Sequence, residues 1–452
     1  MENKAINAAY DLLQRSILRS RGIPVGTAAA VHNLIEAPNY EECFVRDFVP
    51  SALVFLMDND TQIVKNFLQI IVELQGQQPV MEGHERAVGL MPASFHVPKD
   101  DKRLPSADFG DRAIGRVAPV DSAMWWMILL RAYVNLSGDW QFACSDSMQD
   151  SIRSIMSLYL KESFETSPAM LVPDGSFMID RRMGVYGHPL EIQALFYGML
   201  QTALELLKPE PQNEYLLTLC RKRQQTLRSY VRIYYWLDQQ RLNEIHRYRG
   251  EEFGTDAINV LNIYPESIPE WIDGWLPENA GYLVGNLGPG RMDFRYFAMG
   301  NLLAILFGLA TDDQAAHIMN LYEAHWECLV GQMPLKICYP AATGENWAHT
   351  TGSDPKNVPW SYHNGGHWPC LLWAFVGAAV RVHRYDLAIK ATEITMDKLE
   401  QDNWPEYYDG KKGTLIGRRA NFNQTWSATG LIVAHRLIEQ PQTRKVLQAI
   451  SF

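Results

Sequence analysis

Residues 121–138 read DSAMWWMILLRAYVNLSG, and this stretch decides the fold class. Its apolar residues cover nearly the whole circumference of a helix, which is the pattern of a helix buried on all sides. Asp121 or Ser122 would cap its N-terminus, and Gly138 marks its end. The stretch therefore predicts a helix that is enclosed by other helices and entered through polar residues.

Five other stretches repeat this design, in which a cluster of polar and aromatic residues leads into an apolar helix. These helices are predicted over residues 47–57, 189–207, 293–309, 367–383 and 424–438. One-faced amphipathic helices alternate with them and are predicted over residues 3–20, 62–75, 147–164, 213–246, 313–330 and 385–400. This alternation predicts an all-α chain folded as an (α/α)6 barrel, with the polar clusters at the end where the inner helices present free N–H groups. A helical solenoid is the alternative, but its repeats would be shorter and alike.

The widest interval between predicted inner helices separates the third helix from the fourth. We therefore expect a single catalytic domain over residues 1–452, with a helical insertion at about residues 208–290. The insertion contains an arginine-rich run at residues 221–249. This run is interpreted as a solvated helix face, and packing against another subunit is the alternative.

Composition argues against several classes of protein. The chain of 452 residues is 47% hydrophobic and has a formal net charge of −10. Negative charge argues against a nucleic acid or an anionic membrane as partner, and no apolar run is long enough to span a bilayer. The N-terminal residues show no signal-peptide pattern, and the six scattered cysteines fit free thiols. A cytoplasmic location is therefore expected.

Two carboxylates stand among aromatic and cationic side chains in predicted loops. Glu406 lies within residues 404–409, WPEYYD, and Asp180 precedes Arg181 and Arg182. Two carboxyl groups are the minimum equipment for hydrolysing a glycosidic bond, because one protonates the departing oxygen and the other activates water or attacks the sugar. The alternatives are a surface glutamate in a turn and an aspartate paired structurally with arginine. Asp409 is the second choice for the base.

Charged and aromatic residues at the starts of the apolar helices form a second group of candidates. A buried charge needs a partner, which is either structural or a sugar hydroxyl, and aromatic rings offer flat faces to a pyranose. The candidates for substrate binding are Arg46, Asp47, Asp121, Trp125, His188, Glu191, Arg295, His363, Asn364, Trp368, Trp404, Tyr407 and Gln424. A helix-capping role for Asp121 and a core position for Trp125 stay open.

A metal site is disfavoured by the sequence. His363 and His367 lie four residues apart, but Gly365 and Gly366 interrupt the helix that would align them. No glycine-rich phosphate loop follows a predicted strand. We therefore expect neither a metal nor another cofactor.

The chain resembles the neutral/alkaline invertases of cyanobacteria and plants from about Glu42 to Glu439. The motifs that carry the resemblance are Phe44–Phe48, Met81–Pro92, Gly115–Ser122, Asp180–Gly184, His188–Gln193, Tyr362–Gly366, Trp404–Gly410 and Gln424–Ser427. His367 departs from the family pattern, in which a serine is expected.

This resemblance implies an (α/α)6 barrel that hydrolyses sucrose to glucose and fructose without a cofactor. It implies inversion, with the glucosyl ring in the −1 site, Asp180 as acid and Glu406 as base. It also suggests a homo-oligomer, with a hexamer as the expected form. The alternatives are a hydrolase of another α-glucoside, such as trehalose or an oligosaccharide, and a non-catalytic sugar-binding barrel.

Overall fold

The computed structural model describes residues 4–31, 38–77, 87–100, 103–110, 119–161, 168–172, 177–179, 183–185, 187–247, 261–288, 291–415 and 420–452. Within these ranges, helices arranged in two rings dominate the chain. The helices of the rings are α1 (Lys4–Ser16), α2 (Val45–Met57), α3 (Thr61–Glu73), α4 (Ser122–Ser137), α5 (Asp146–Tyr159), α6 (Leu190–Leu206), α7 (Glu214–Tyr230), α8 (Ala298–Leu306), α9 (Asp312–Ala324), α10 (Leu372–Arg381), α11 (Tyr385–Leu399) and α12 (Thr425–Glu439).

The even-numbered helices form a closed inner ring. Each packs against the next even-numbered helix along the chain, and α12 packs against α2. Helix α4 shows why they lie inside, since every residue from Asp121 to Leu130 is buried. The odd-numbered helices bury one face only. In α3 this face holds Ile63, Val64, Phe67, Leu68 and Ile71. Apolar burial on this scale is what holds the two rings together.

The predicted all-α (α/α)6 barrel is confirmed, and most of the observed helices begin and end within a few residues of the predicted bounds. The fourth inner helix begins at Ala298 rather than near Asp293, because Arg291–Asp293 and Tyr296–Phe297 are strands. The predicted helix at 213–246 is interrupted. Helix α7 passes into a π-helical turn at Val231–Tyr235, and the next residues form a strand instead of continuing the helix.

Short antiparallel strands fill the connections. In the described residues, Ile17–Ser20 pairs with Ile23–Thr27, Trp236–Asp238 with Gly281–Leu283, Asn286–Gly288 with Arg291–Asp293, and Tyr296–Phe297 with Cys338–Tyr339. A three-stranded sheet holds Cys43–Phe44, Ser94–His96 and Ser106–Asp108. Two of these strands lead directly into inner helices, Cys43–Phe44 into α2 and Tyr296–Phe297 into α8. They fix the direction in which these helices enter the ring.

Several shorter helices complete the described chain. They are Trp140–Ala143, Gln239–Arg247, Trp326–Leu329, Gly344–Thr351 and Lys445–Ile450, with 3-10 turns at Pro38–Glu41, Pro211–Asn213, Pro265–Ser267, Glu270–Ile272, Pro369–Leu371 and Pro441–Arg444. The described parts of residues 208–290 therefore contain helices, turns and short strands, and their role as an insertion stays a prediction. No helix in the described ranges has the length and hydropathy needed to cross a bilayer.

Candidate active site

The first turns of the inner helices bring charged side chains together around Arg46. The Arg46 Nε donates a hydrogen bond to Asp121 Oδ2 at 2.5 Å, joining the start of α2 to the start of α4. Burial disfavours the charged form of Arg46, but Asp121, Asp47 and Glu191 outweigh this effect and raise its pKa. Arg46 is therefore a cation within reach of three carboxyl groups that lie at the starts of three helices.

Asp121 immediately precedes α4, yet its side chain makes no capping hydrogen bond to that helix. One carboxylate oxygen binds Arg46, and the other has no hydrogen-bond partner among the described residues. Asp121 is only 1% exposed. The helix-cap alternative therefore fails, because this carboxylate faces across the ring.

Asp47 and Glu191 have unusual protonation behaviour for carboxyl groups. Burial raises the pKa of Asp47 to about 7, with Arg46 opposing the rise and Glu406 adding to it. Burial likewise raises the pKa of Glu191 to about 8, although Arg46 and a hydrogen bond from the Met178 N–H oppose the rise. Such carboxyl groups hold a proton over part of the neutral range, so they can donate as well as accept hydrogen bonds.

Glu406 lies in the connection between α11 and α12 and is 2% exposed. Its Oε1 accepts a hydrogen bond from the Tyr40 hydroxyl at 2.5 Å, and its Oε2 faces the Asn421 Nδ2 at 3.4 Å. Its backbone N–H donates to the Asn421 carbonyl at 2.8 Å. Its charge also raises the pKa of Asp47, which places both carboxylates in one group. A surface glutamate in a turn is therefore excluded.

Asp180 lies outside the described residues, together with Arg181 and Arg182. The described residues on both sides of it are tied to the site. Upstream, the Met178 N–H donates to Glu191 Oε1 at 2.9 Å. Downstream, the Met183 carbonyl accepts from Arg295 Nη2 at 3.1 Å. The described residues that flank Asp180 in the sequence therefore lie beside the start of α6 at Met178 and beside Arg295 at Met183.

Arg295 is held by a carboxylate that precedes it in the sequence. Its Nη2 lies 2.5 Å from Asp293 Oδ2, and its Nε binds both oxygens of the same carboxylate. The guanidinium also lies 5.0 Å from the Phe297 ring. Asp293 raises the pKa of Arg295 despite the opposing effect of burial. Arg295 Nη1 keeps no hydrogen-bond partner among the described residues, so one donor is left for a ligand.

An aromatic wall stands beside Glu406. The His363 ring stacks on Trp368 with centroids 4.9 Å apart and on Tyr362 with centroids 4.0 Å apart. Trp368 in turn stacks on Tyr407 at 5.7 Å, and its Nε1 donates to the Tyr362 carbonyl at 3.0 Å. Trp404 is also buried, at 5% exposure. The rings of this wall therefore pack on one another as one cluster.

Three predicted ligands of the substrate are engaged by the protein itself. The Asn364 side chain binds the N–H and carbonyl of Ala342 and the carbonyl of Asn357. His188 Nδ1 lies 3.0 Å from the Leu287 carbonyl, and burial lowers the pKa of this histidine. Trp125 is 1% exposed and meets other aromatic rings edge to face. Their contact with a sugar stays a prediction.

Several of the buried polar atoms that have no hydrogen-bond partner in the described chain lie at or near these helix starts, and others lie elsewhere, as in Thr202 and Tyr322. Such atoms are costly, and each calls for a ligand or an ordered water. Those at or near the helix starts belong to Asp121, Trp125, Glu191, Arg295, Gln424 and Trp426. Trp125, Trp426 and Arg46 also line a small cavity with room for about one water. The site therefore has unused hydrogen-bonding capacity that suits a polyhydroxylated molecule.

Sequence reasoning missed Tyr40, Asn421 and Trp426. Tyr40 shortly precedes the Phe44–Phe48 motif, but no local pattern shows that it faces a carboxylate 366 positions away. Asn421 and Trp426 flank Gln424, which was among the candidates. Proximity to a candidate was therefore the only signal available for them.

The histidines do not form a metal centre in the part of the chain that the structure describes. There, no group of three or more His, Cys, Asp or Glu residues is placed to hold a metal ion. Burial, followed by the charge of Lys336, lowers the pKa of His367 to about 3, so its ring is neutral. His367 exchanges backbone hydrogen bonds with Tyr408 at 3.0 and 2.8 Å. It supports the loop that carries Glu406.

Comparison with known proteins gives consistent results. A family model described as "Alkaline and neutral invertase" matches residues 9–441. "Probable alkaline/neutral invertase D" of Arabidopsis thaliana is 49% identical over 437 residues, covering 96% of this chain and 82% of that protein. "Cytosolic invertase 1" of Oryza sativa subsp. japonica is 48% identical, covering 96% and 78%. "Neutral/alkaline invertase 1, mitochondrial" of the same plant is 47% identical, covering 97% and 72%.

Solved structures share the fold at low sequence identity. The GH63 mannosylglycerate hydrolase of Thermus thermophilus in complex with glucose aligns with a TM-score of 0.59 at 12% identity. That alignment covers 96% of this chain and all of the other, 100%. A protein described as "Glycosidase Wild Type" aligns with a TM-score of 0.58 at 12% identity, covering 96% of both chains. These likenesses bear on the barrel alone.

Proposed function

The chain belongs to the alkaline and neutral invertase family, and on that premise we propose that it hydrolyses sucrose to glucose and fructose with inversion. Sucrose hydrolysis is the function of this family. In the proposal, Asp180 is the general acid and Glu406 is the general base. The observation that carries it is the burial of Glu406 in one group with Arg46, Asp47 and Asp121 at the starts of the inner helices.

The chemistry requires one proton to be donated and another to be removed. Asp180 protonates the oxygen that departs with the fructosyl unit as the bond to the glucosyl anomeric carbon breaks. Glu406 takes a proton from the water that bonds to that carbon from the opposite face. An inverting enzyme needs its two carboxyl groups about 6.5–9.5 Å apart to leave room for that water. Both carboxyl groups return to their starting protonation states by exchange with solvent.

The glucosyl ring is proposed to lie over the carboxyl groups around Arg46. A sugar hydroxyl both donates and accepts, so it pairs well with the partly protonated Asp47 and Glu191. Asp121 and Arg295 each offer a buried polar atom that has no partner among the described residues. Trp368, Tyr407 and Trp404 supply the apolar face against which the ring packs.

Location and assembly are further parts of the proposal. Relatives with cytosolic, mitochondrial and chloroplastic names occur among the matches, and we propose a cytoplasmic location here. We also propose a homo-oligomer, with a hexamer as the specific form. Exposed Tyr215 and Ile233, at 73% and 47% exposure, lie on or next to α7 and support an interface there. Light scattering coupled to gel filtration tests this: a mass equal to one chain of 51.5 kDa would contradict it.

Steady-state hydrolysis tests the function directly. Purified protein should release glucose from sucrose faster than from trehalose or maltose. Asp180→Asn and Glu406→Gln should each lower kcat by about 10²–10⁴-fold, because general acid and base catalysis contribute that much. Both variants should still bind sucrose in calorimetry. Faster hydrolysis of another disaccharide would contradict sucrose as the substrate. Near-normal turnover by either variant would refute the catalytic role of the residue that it replaces.

A further inference from the structure

Four backbone segments join Tyr40 to Glu406 through continuous hydrogen bonding. Segment 28–31 lies in the middle and binds segment 40–42 on one side, through Ala30 N–H to the Tyr40 carbonyl at 3.0 Å. On its other side it binds segment 421–425, through Thr425 N–H to the Ala29 carbonyl at 2.9 Å. Segment 421–425 then binds segment 403–406. The Tyr40 and Glu406 backbones are therefore fixed relative to each other, although the residues are 366 positions apart.

The side chains meet across this framework. The Tyr40 hydroxyl donates to Glu406 Oε1 at 2.5 Å, within the range of a strong hydrogen bond to a carboxylate. Burial, Glu406 and Tyr362 raise the pKa of Tyr40 well above its usual value, so it remains a donor at every working pH. The second carboxylate oxygen faces Asn421 at 3.4 Å, which is a weaker contact. Among the residues that the structure describes, Tyr40 is thus the main hydrogen-bonding restraint on this carboxylate.

A general base must aim a lone pair at one water. The terminal torsion of a glutamate is broad, so an unrestrained carboxylate samples many orientations. A strong donor on one oxygen selects one of them and leaves the other oxygen directed elsewhere.

We propose that Tyr40 is a positioning residue that orients the Glu406 carboxylate toward the attacking water. This inference rests on the proposed role of Glu406 as the base. Tyr40 keeps its proton throughout, while the proton removed from water goes to Glu406. The chemical step therefore depends on a residue from the N-terminal part of the chain that lies outside the predicted site.

The test is Tyr40→Phe, with sucrose hydrolysis measured from pH 5 to 9. We expect kcat to fall by about 10–100-fold, because the base is misaligned, while KM changes by less than ~2-fold. A hydrogen bond donated to a carboxylate generally favours its ionised form, so removing the donor should move the acidic limb of kcat/KM to higher pH. A residue that only supported the fold would not move this limb.

The matched control is Tyr133→Phe. Tyr133 also donates to a carboxylate, Asp139 Oδ2 at 2.8 Å, but at the far end of α4. It should leave kcat and the acidic limb unchanged. If Tyr40→Phe fails to fold by circular dichroism, 3-fluorotyrosine at position 40 replaces it, since this residue keeps the ring and is a stronger donor. The limb should then move to lower pH.

The outcomes distinguish the positioning role of Tyr40 from the role of Glu406 as the base. A wild-type kcat and an unmoved limb in Tyr40→Phe, with Glu406→Gln inactive, would overturn the positioning role and leave the base assignment standing. An unchanged acidic limb of kcat/KM with 3-fluorotyrosine at position 40 would likewise overturn the positioning role. Full activity of Glu406→Gln would instead overturn the proposed function on which the inference rests.

Discussion

The two ends of helix α4 are built from similar residue types and behave in opposite ways. At its C-terminal end, Arg131 binds Glu205 at 2.5 Å and the Ala449 carbonyl at 2.5 Å. Nearby, Asp139 accepts from Lys65 and Tyr133. At its N-terminal end, Asp121 has one oxygen on Arg46 and the other without a partner among the described residues. The first end is satisfied by the protein, and the second keeps capacity for a ligand.

The pKa values of the carboxyl groups also differ between the two ends of α4. Lys65 and Tyr133 lower the pKa of Asp139, so this carboxyl is ionised and contributes to stability. Burial raises the pKa of Glu191 and Asp47 at the other end, so these carboxyls work against stability once they ionise. Perturbed pKa values of this kind concentrate at functional sites. A buried charged or polar group that the protein leaves without a partner lowers stability. Groups of this kind, more than charge itself, mark the end of α4 where chemistry takes place.

The largest expected effect comes from replacing the arginine at each end of the barrel. Arg46→Met leaves Asp121 buried without its cation, so unfolding free energy should fall by about 3–5 kcal/mol. Turnover of sucrose by the remaining folded protein should fall by at least ~10²-fold, because the group around Arg46 loses its charge balance. Urea denaturation and steady-state kinetics measure the two effects.

Arg131→Met is the matched control at the satisfied end. It should lower stability, because Glu205 and two carbonyls lose a donor, and it should leave kcat of the folded enzyme unchanged. Equal loss of kcat in both variants would show that the two ends are not functionally distinct.

The pH dependence of stability should differ between the ends. Glu191 has a folded-state pKa of about 8, far above that of an unfolded glutamate, so the native state holds the extra proton between these values. Stability is therefore lost as pH rises through this window, with a slope of up to ~1.4 kcal/mol per pH unit for one proton. Glu191→Gln should flatten this slope in urea unfolding at pH 5.5, 6.5 and 7.5.

Asp139→Asn tests the other end of α4, where the pH dependence of stability should have the opposite sign. The lowered pKa of Asp139 means that its contribution is present at neutral pH and is lost as pH falls through the acidic range. This variant should therefore be destabilised at pH 7 and approach the parent protein at acidic pH. A Glu191→Gln profile parallel to that of the parent protein would contradict the protonation assignments.

The smallest effect is expected from a pair of buried glutamines. The amide atoms of Gln424 have no partner in the described chain, so Gln424→Met should change stability little while raising KM for sucrose by about 10-fold. Gln149 binds the carbonyls of Ala143 and Leu206, so Gln149→Met should cost about 1–3 kcal/mol and leave KM unchanged. Thermal melting and kinetics distinguish the two. An unchanged KM in Gln424→Met would remove Gln424 from the site.

The helices of the barrel could be predicted from the sequence, because an inner helix is apolar on every side and an outer helix on one. Helix α4 follows this rule from Ser122 to Leu130, all of which are buried. The rule failed at Val231–Tyr235, where backbone pairing of the following strand with Gly281–Leu283 overrides a helical pattern. Such pairing depends on residues distant in sequence, which local periodicity does not report.

The site was only partly predictable for the same reason. Arg46, Asp121 and Glu406 stood out as charges in apolar or aromatic surroundings, and the structure brings them together. No local sequence feature distinguished Tyr40, because its contact with Glu406 depends on segments that are distant in the sequence. Asn364 was marked by its motif, but its side chain binds backbone groups of neighbouring loops. Sequence pattern identifies unusual residues, whereas their partners require coordinates.

The configuration of the first glucose released from sucrose tests the central claim most directly. Proton NMR during the first minutes of hydrolysis, before mutarotation mixes the anomers, reads this configuration. If Glu406 directs water to the face opposite the departing fructose, β-glucose appears first and α-glucose grows in later. Initial appearance of α-glucose would show retention and contradict the assignment of Glu406 as a base acting through water.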